Sequence, residues 1–203
     1  MLSSVEEAVA AFARGEFLLL VDDVERENEG DLVVAAEHLT AEKVNILDRK
    51  AGGMFLLATT EEHFTRLGIP LISPRHAGAD TPRFGAGFDA RDGITTGMSA
   101  ADRAATVRLA IAPETGEADI VIPGHVLPLA ARPEGLRVRR GHTEGSVELA
   151  RLAGLFPAAV MSEVMTERGE MARGEELFEV ARSLDCRMVA VPDIAAYVEE
   201  SRV

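Results

Sequence analysis

A chain of 203 residues with 34 acids against 21 bases carries a net charge of −13, which opposes binding to nucleic acid or an anionic membrane while leaving room for a small anionic substrate held by local arginines. Hydrophobic residues make up 47% and aromatics only 4%, with no Trp, so the one sizeable core that a chain of this length buries rests on Val, Leu, Ile, Ala and Met. A lone Cys186 excludes an internal disulfide, no apolar run reaches bilayer length and no basic-then-apolar leader opens the chain, so the expected location is cytoplasmic.

Ser4 and Glu7 have capping-box spacing, and Val5, Ala8, Val9 and Phe12 recur at helical period, predicting a helix that runs to about Arg14 and ends at Gly15. Apolar runs at Phe17–Val21 and Leu32–Ala36 read as strands flanking Asp22 to Asp31. A helix over Ala41–Ala51 is stopped by Gly52-Gly53, Met54–Thr59 is a strand, and Thr60 caps a short helix ending at Gly68. Pro70, Pro74, Pro82, Gly78, Gly85, Gly87 and Gly93 interrupt any period between Ile69 and Ile94, which reads as a long ordered excursion. Ser99 and Asp102 cap a helix over Ala100–Ile111, and Ile120–Ile122 and Leu136–Val138 read as short strands. A helix over Glu144–Ala153 closes at Gly154, Pro157–Val164 is a strand with Glu163 near its end, Glu175–Leu184 is helical, Met188–Val191 is a strand and Ile194–Ser201 a terminal helix. This interleaving, without a strict βαβ period, predicts a single α+β domain over residues 1–203, a mixed sheet covered by helices in a three-layer α/β/α-like arrangement.

Six acids lie within the ten positions from Asp22 to Asp31. Crowded carboxylates with restricted water need a cation or a proton, so a divalent metal or a polar substrate held by Arg26 is expected there; a merely solvated loop is the bland reading. Arg139-Arg140-Gly141-His142-Thr143 precedes a helix, where free N–H groups and two guanidinium groups suit a phosphate or carboxylate. His125 follows Pro123-Gly124, and Glu163 closes a buried strand, a position that commonly faces a cleft. No nucleophile elbow, P-loop, dinucleotide fingerprint or Cys/His zinc spacing is present. What remains is acid–base chemistry supported by a hard metal, with Glu27 and His142 offering one oxygen and one nitrogen to Mg²⁺ or Mn²⁺.

Asp22-Asp23-x-x-Arg26-Glu27-Asn28-Glu29-Gly30-Asp31, Thr95-Thr96-Gly97-x-Ser99-Ala100-x-Asp102-Arg103, Pro123-Gly124-His125-Val126-x-Pro128-Leu129 and Arg140-Gly141-His142-Thr143-Glu144 resemble, in order, the motifs of the 3,4-dihydroxy-2-butanone-4-phosphate synthase family. The resemblance implies conversion of D-ribulose 5-phosphate into 3,4-dihydroxy-2-butanone 4-phosphate and formate for riboflavin biosynthesis, with Mg²⁺ or Mn²⁺, by a homodimer whose active sites lie near the subunit interface. It implies Glu27 and His142 as metal ligands. Arg26, Glu27, Asp31, Arg139, Arg140, Gly141, His142, Thr143 and Glu163 become substrate-binding positions, and His125 and Glu163 match positions essential for catalysis; the chemistry then suggests Asp31 as the catalytic general base, with Glu163 and His125 as later proton-transfer partners. Phosphate falls to Arg139-Arg140 or to Thr95, Thr96, Ser99 and Arg103. The chain departs from the family pattern in having no Cys within Met54–Leu57 and in placing Gly85 and Gly87 within Phe84–Ala90; the GTP cyclohydrolase domain fused in some relatives is not expected within these residues. A catalytically silent, sugar-phosphate-binding regulatory module is the rival function, needing the arginines but not the acids and both histidines. The acidic loop is expected to become fully ordered only with metal and sugar phosphate bound.

Overall fold

Strand formation begins where both faces of the backbone meet apolar side chains. The computed structural model describes residues 2–73, 78 and 80–200. Leu18–Val21 (β1) and Gly30–Ala35 (β2) pair antiparallel across the acidic run, with Leu20 opposite Asp31. With Leu56–Thr59 (β3), Phe88–Ala90 (β4), Ile120–Ala130 (β5), Ala159–Glu163 (β6) and Arg187–Ala190 (β7) they form one seven-stranded sheet of order β4-β5-β3-β6-β2-β1-β7. The β1–β7 and β3–β5 pairs are parallel and the other four antiparallel, so the sheet is mixed as expected.

Side chains alternate between the two faces, and each face has its own helical cover. Leu19, Leu32, Val34, Leu57 and Val160 pack with Ala41–Lys50 (α2), Glu61–Leu67 (α3), Ala100–Ile111 (α4) and Glu175–Ser183 (α6). Leu18, Leu20, Val33, Leu56 and Met161 pack with Val5–Ala13 (α1), His142–Leu152 (α5) and Val191–Glu200 (α7). Burial on both faces explains why the strands read as continuous apolar runs rather than alternating ones. The Ser4–Glu7 capping box forms as the spacing predicts.

Three expectations change. Leu136–Val138 is not a strand: Gly135 adopts φ 61° and Gly135–Arg137 closes into a 3₁₀ turn. The short strand at Ile120 instead continues to Ala130. Its pairing with β4 breaks register, Phe88 facing Val126 while Asp89 faces Val121, so Pro123-Gly124-His125 bulges out of an otherwise continuous strand. The excursion after Ile69 contains β4, and its Pro74 lies outside the described residues, as does Ser201 of the expected last helix. No helix among the described residues is long and apolar enough to cross a membrane.

Candidate active site

Antiparallel pairing of β2 with β6 sets Asp31 directly opposite Glu163. Both share the sheet face of Val33 and Met161, two residues along each strand, which is the face that α5 covers. At the first turn of α5, His142 Nδ1 lies 3.9 Å from Asp31 Oδ1 and 4.0 Å from a Glu27 carboxylate oxygen. Arg26, Glu27, Asp31, Arg139, His142, Thr143 and Glu163 line one cavity of about 250 Å³, with Met54, Pro82, Phe84 and Met161 among its apolar walls. Asp31 is 2% exposed. Burial pushes its carboxyl up to about 6, against the pull of His142 and with a further push from Glu163, Glu27 and Glu29.

The acidic loop carries its own frame. Asp22, buried beneath it, accepts hydrogen bonds from the Glu27 and Glu29 amides at 3.1 and 2.9 Å and from Arg26 Nη1 at 2.7 Å. Arg26 forks onto Glu27 at 2.8 and 3.0 Å, and Arg173 reaches Glu29 at 2.9 Å. Asn28 takes φ 54°, which turns the chain back toward β2. Two arginines and backbone amides thus supply much of the compensation that the sequence reading assigned to ligands.

Oxygen and nitrogen donors of Asp22, Glu27 and His142 lie within 4.8 Å of one another. Asp22 is committed to three donors and both Glu27 oxygens accept from Arg26, but the Glu27 side chain stays half exposed, and on His142, whose Nδ1 faces Glu27, Nε2 is buried with no partner among the described residues. An orphaned buried nitrogen costs about 1–3 kcal/mol, and a carboxylate oxygen beside an imidazole is a donor set suited to a hard divalent cation. Glu27 and His142 fit a metal.

Glu163 is held by the double glycine. Its Oε2 accepts the Met54 amide at 2.8 Å and its carbonyl accepts the Gly53 amide at 3.0 Å. A Cβ on Gly53 would stand 2.4 Å from Glu163 Oε2 and 2.6 Å from its carbonyl oxygen, so only glycine allows this approach.

The Arg139-Arg140 pair divides. Arg139 is buried in the cavity wall, Nη1 on Glu144 Oε2 at 2.6 Å and Nε on the Asp80 carbonyl at 3.2 Å. Gly141, which precedes α5, leaves it room, since a Cβ there would lie 2.4 Å from Arg139 Nη1. Arg140 is exposed outside the cavity, in a depression shared with Asp23, Glu25, Arg26, Glu27 and Asp80, and lies 3.5 Å from Glu199.

The other candidate cradle is largely self-satisfied. Asp102 accepts from the Thr95 amide and hydroxyl at 3.0 and 2.6 Å and from the Gly97 amide at 3.1 Å. These bonds to the charged form hold its carboxyl down to about 2. Arg103 is buried, bonded to Asp48 at 3.1 Å and stacked 4.7 Å from the Phe55 ring. His125 is absent from the cavity lining; it sits in the β5 bulge, two strands over from Glu163, bonded to Asp89. Sequence reasoning gave Asp22, Asp89 and Glu144 no individual role. Nothing local in the sequence distinguishes these buried acids from surface ones.

The family model for 3,4-dihydroxy-2-butanone 4-phosphate synthase matches residues 6–197. The 3,4-dihydroxy-2-butanone 4-phosphate synthase of Desulfotalea psychrophila is 44% identical over 193 residues, covering 95% of this chain and 90% of its own. The riboflavin biosynthesis protein RibBA of Aquifex aeolicus is 43% identical over 197 residues, and this chain spans 48% of its length. A crystal structure of 3,4-dihydroxy-2-butanone 4-phosphate synthase in complex with two magnesium ions superposes with a TM-score of 0.92 at 36% identity, covering 98% of each chain. With matches of this extent, the chain belongs to the 3,4-dihydroxy-2-butanone 4-phosphate synthase family.

Proposed function

We propose that this chain is a metal-dependent carbon–carbon lyase that converts D-ribulose 5-phosphate into 3,4-dihydroxy-2-butanone 4-phosphate and formate, in riboflavin biosynthesis in the cytoplasm. The observation that carries the reading is the convergence of Asp31, Glu163, Glu27 and His142 on one cavity, in a chain of this family. Asp31, with a carboxyl at about 6, is matched to accepting a proton near neutral pH. Placed beside the ketone it removes the adjacent proton, giving an enediol. Dehydration, migration of a carbon–carbon bond and release of one carbon as formate then require repeated proton transfers. Glu163, aimed by the Met54 amide, and His125 supply them. Glu27 and His142 would hold a divalent cation, Mg²⁺ or Mn²⁺, which when bound would supply Lewis-acid stabilisation of negative charge developing on oxygen. Arg26 and Thr143 orient the sugar at the cavity wall, while Arg140 and the amides at the start of α5 meet the phosphate, Arg139 and Gly141 fixing the shape of that corner.

A homodimer belongs to the same reading. Met98, Val121 and Ile122 are exposed around the β5 bulge, an apolar surface that a second copy would cover, which would put His125 at the subunit interface. A silent regulatory module has no use for Asp31 and Glu163 at the cavity floor. Purified protein incubated with ribulose 5-phosphate and Mg²⁺ releases formate if the reading holds; binding without formate supports the silent module.

A further inference from the structure

Asp89 stands at the register break between β4 and β5, and its carboxylate, 5% exposed, reaches into the bulge from inside. Oδ1 accepts the His125 amide at 2.9 Å and Oδ2 lies 2.7 Å from His125 Nδ1. An ionised carboxylate only accepts, so Nδ1 carries the proton and Nε2 the lone pair. The imidazole remains partly open, with 41% of its side chain exposed, which leaves Nε2 accessible to a reacting group.

Gly97 covers this hydrogen bond. It takes φ 89°, and a Cβ there would lie 2.2 Å from Asp89 Oδ2 and 2.6 Å from His125 Nδ1. The Gly97 amide is fixed by Asp102, which also holds Thr95. Gly124 packs its Cα against the β4 backbone, where a Cβ would come 2.3 Å from the Asp89 nitrogen. The Thr-Thr-Gly and Pro-Gly-His motifs, distant in sequence, therefore meet on one carboxylate–imidazole pair.

We propose that Asp89 is a positioning residue: it holds His125 in the Nδ1–H tautomer and stabilises the imidazolium formed when Nε2 takes a proton, and the Asp102–Gly97 turn seals that pair. The step is a single proton transfer to Nε2 from substrate or water and its later return, with no other bond changed. The inference rests on the role given to His125 above.

¹⁵N NMR of histidine-labelled protein, with His125 signals assigned by their loss in His125→Ala, reads the tautomer directly. Neutral His125 is expected as Nδ1–H in the native protein. In Asp89→Asn the amide nitrogen donates to Nδ1, and the ring switches to Nε2–H. Formate production in that variant falls about 10²–10⁴-fold in kcat, with KM little changed. Gly97→Ala, which preserves every charge, is expected to disturb the same signals and guards against failure of Asp89→Asn to fold. Nε2–H in the native protein, or Nδ1–H with native kcat in Asp89→Asn, overturns the inference. Undiminished kcat in His125→Ala overturns the catalytic role of His125 itself, an outcome independent of the tautomer spectrum.

Discussion

Acidification tests how the core is wired through His63. This side chain is 4% exposed, its Nδ1 2.8 Å from the Thr59 hydroxyl and its Nε2 2.7 Å from the Ala110 carbonyl, and burial lowers its pKa from 6.5 to about 4. Unfolded chains protonate this imidazole near pH 6.5 while the folded one resists, so the unfolded state binds more protons between these values and stability falls with falling pH. At 1.36 kcal/mol per pKa unit the full loss is about 3 kcal/mol below pH 4, of which about 2 kcal/mol has gone by pH 5. Asp31 works in the opposite sense: its folded carboxyl at about 6 takes up a proton first and returns about 1 kcal/mol over the same interval. The difference between native protein and His63→Gln isolates the imidazole. Urea unfolding of both proteins in EDTA at pH 7.5 and pH 5 is the assay. The native protein is expected to lose about 2 kcal/mol more than the variant over that interval; equal losses would refute a buried neutral His63.

Glu27→Gln and His142→Ala are each expected to lower Mn²⁺ affinity by more than the roughly 10–100-fold typical of indirect partners, without changing far-UV circular dichroism; calorimetric titration checks this, and unchanged affinity removes the residue from the metal. Gly53→Ala drives a Cβ into Glu163 and is expected to cost about 1–3 kcal/mol of stability while lowering kcat through the displaced carboxylate, read by denaturation and formate release. Sedimentation is expected to give twice the 21.7 kDa chain mass at micromolar concentration; a monomer alone contradicts the proposed dimer.

Elements with strong apolar runs and caps were legible in the sequence: Ser4 and Glu7 cap α1, Thr60 caps α3, and Ser99 accepts the Asp102 amide at the start of α4. β5 was not, because Pro123, Gly124 and Pro128 interrupt its pattern while the strand tolerates them at a bulge and in a parallel pairing. At the site, strand-end position identified Glu163, but its meeting with Asp31 depends on β2–β6 pairing, a tertiary fact that no local pattern encodes. Arg139 and Arg140 looked equivalent as neighbours in sequence, yet the start of α5 points one into the wall beside Glu144 and leaves the other in solvent. The family was legible through whole motifs rather than through periodicity or charge.

The most direct measurement follows formate and organic phosphate together, as ribulose 5-phosphate is consumed by Mg²⁺-loaded protein and by Asp31→Asn and Glu163→Gln. One formate for each ribulose 5-phosphate lost is expected, with all phosphate retained in the four-carbon product and both variants slowed by about 10²-fold or more. Consumption without formate, or variants that match the native rate, would contradict the account.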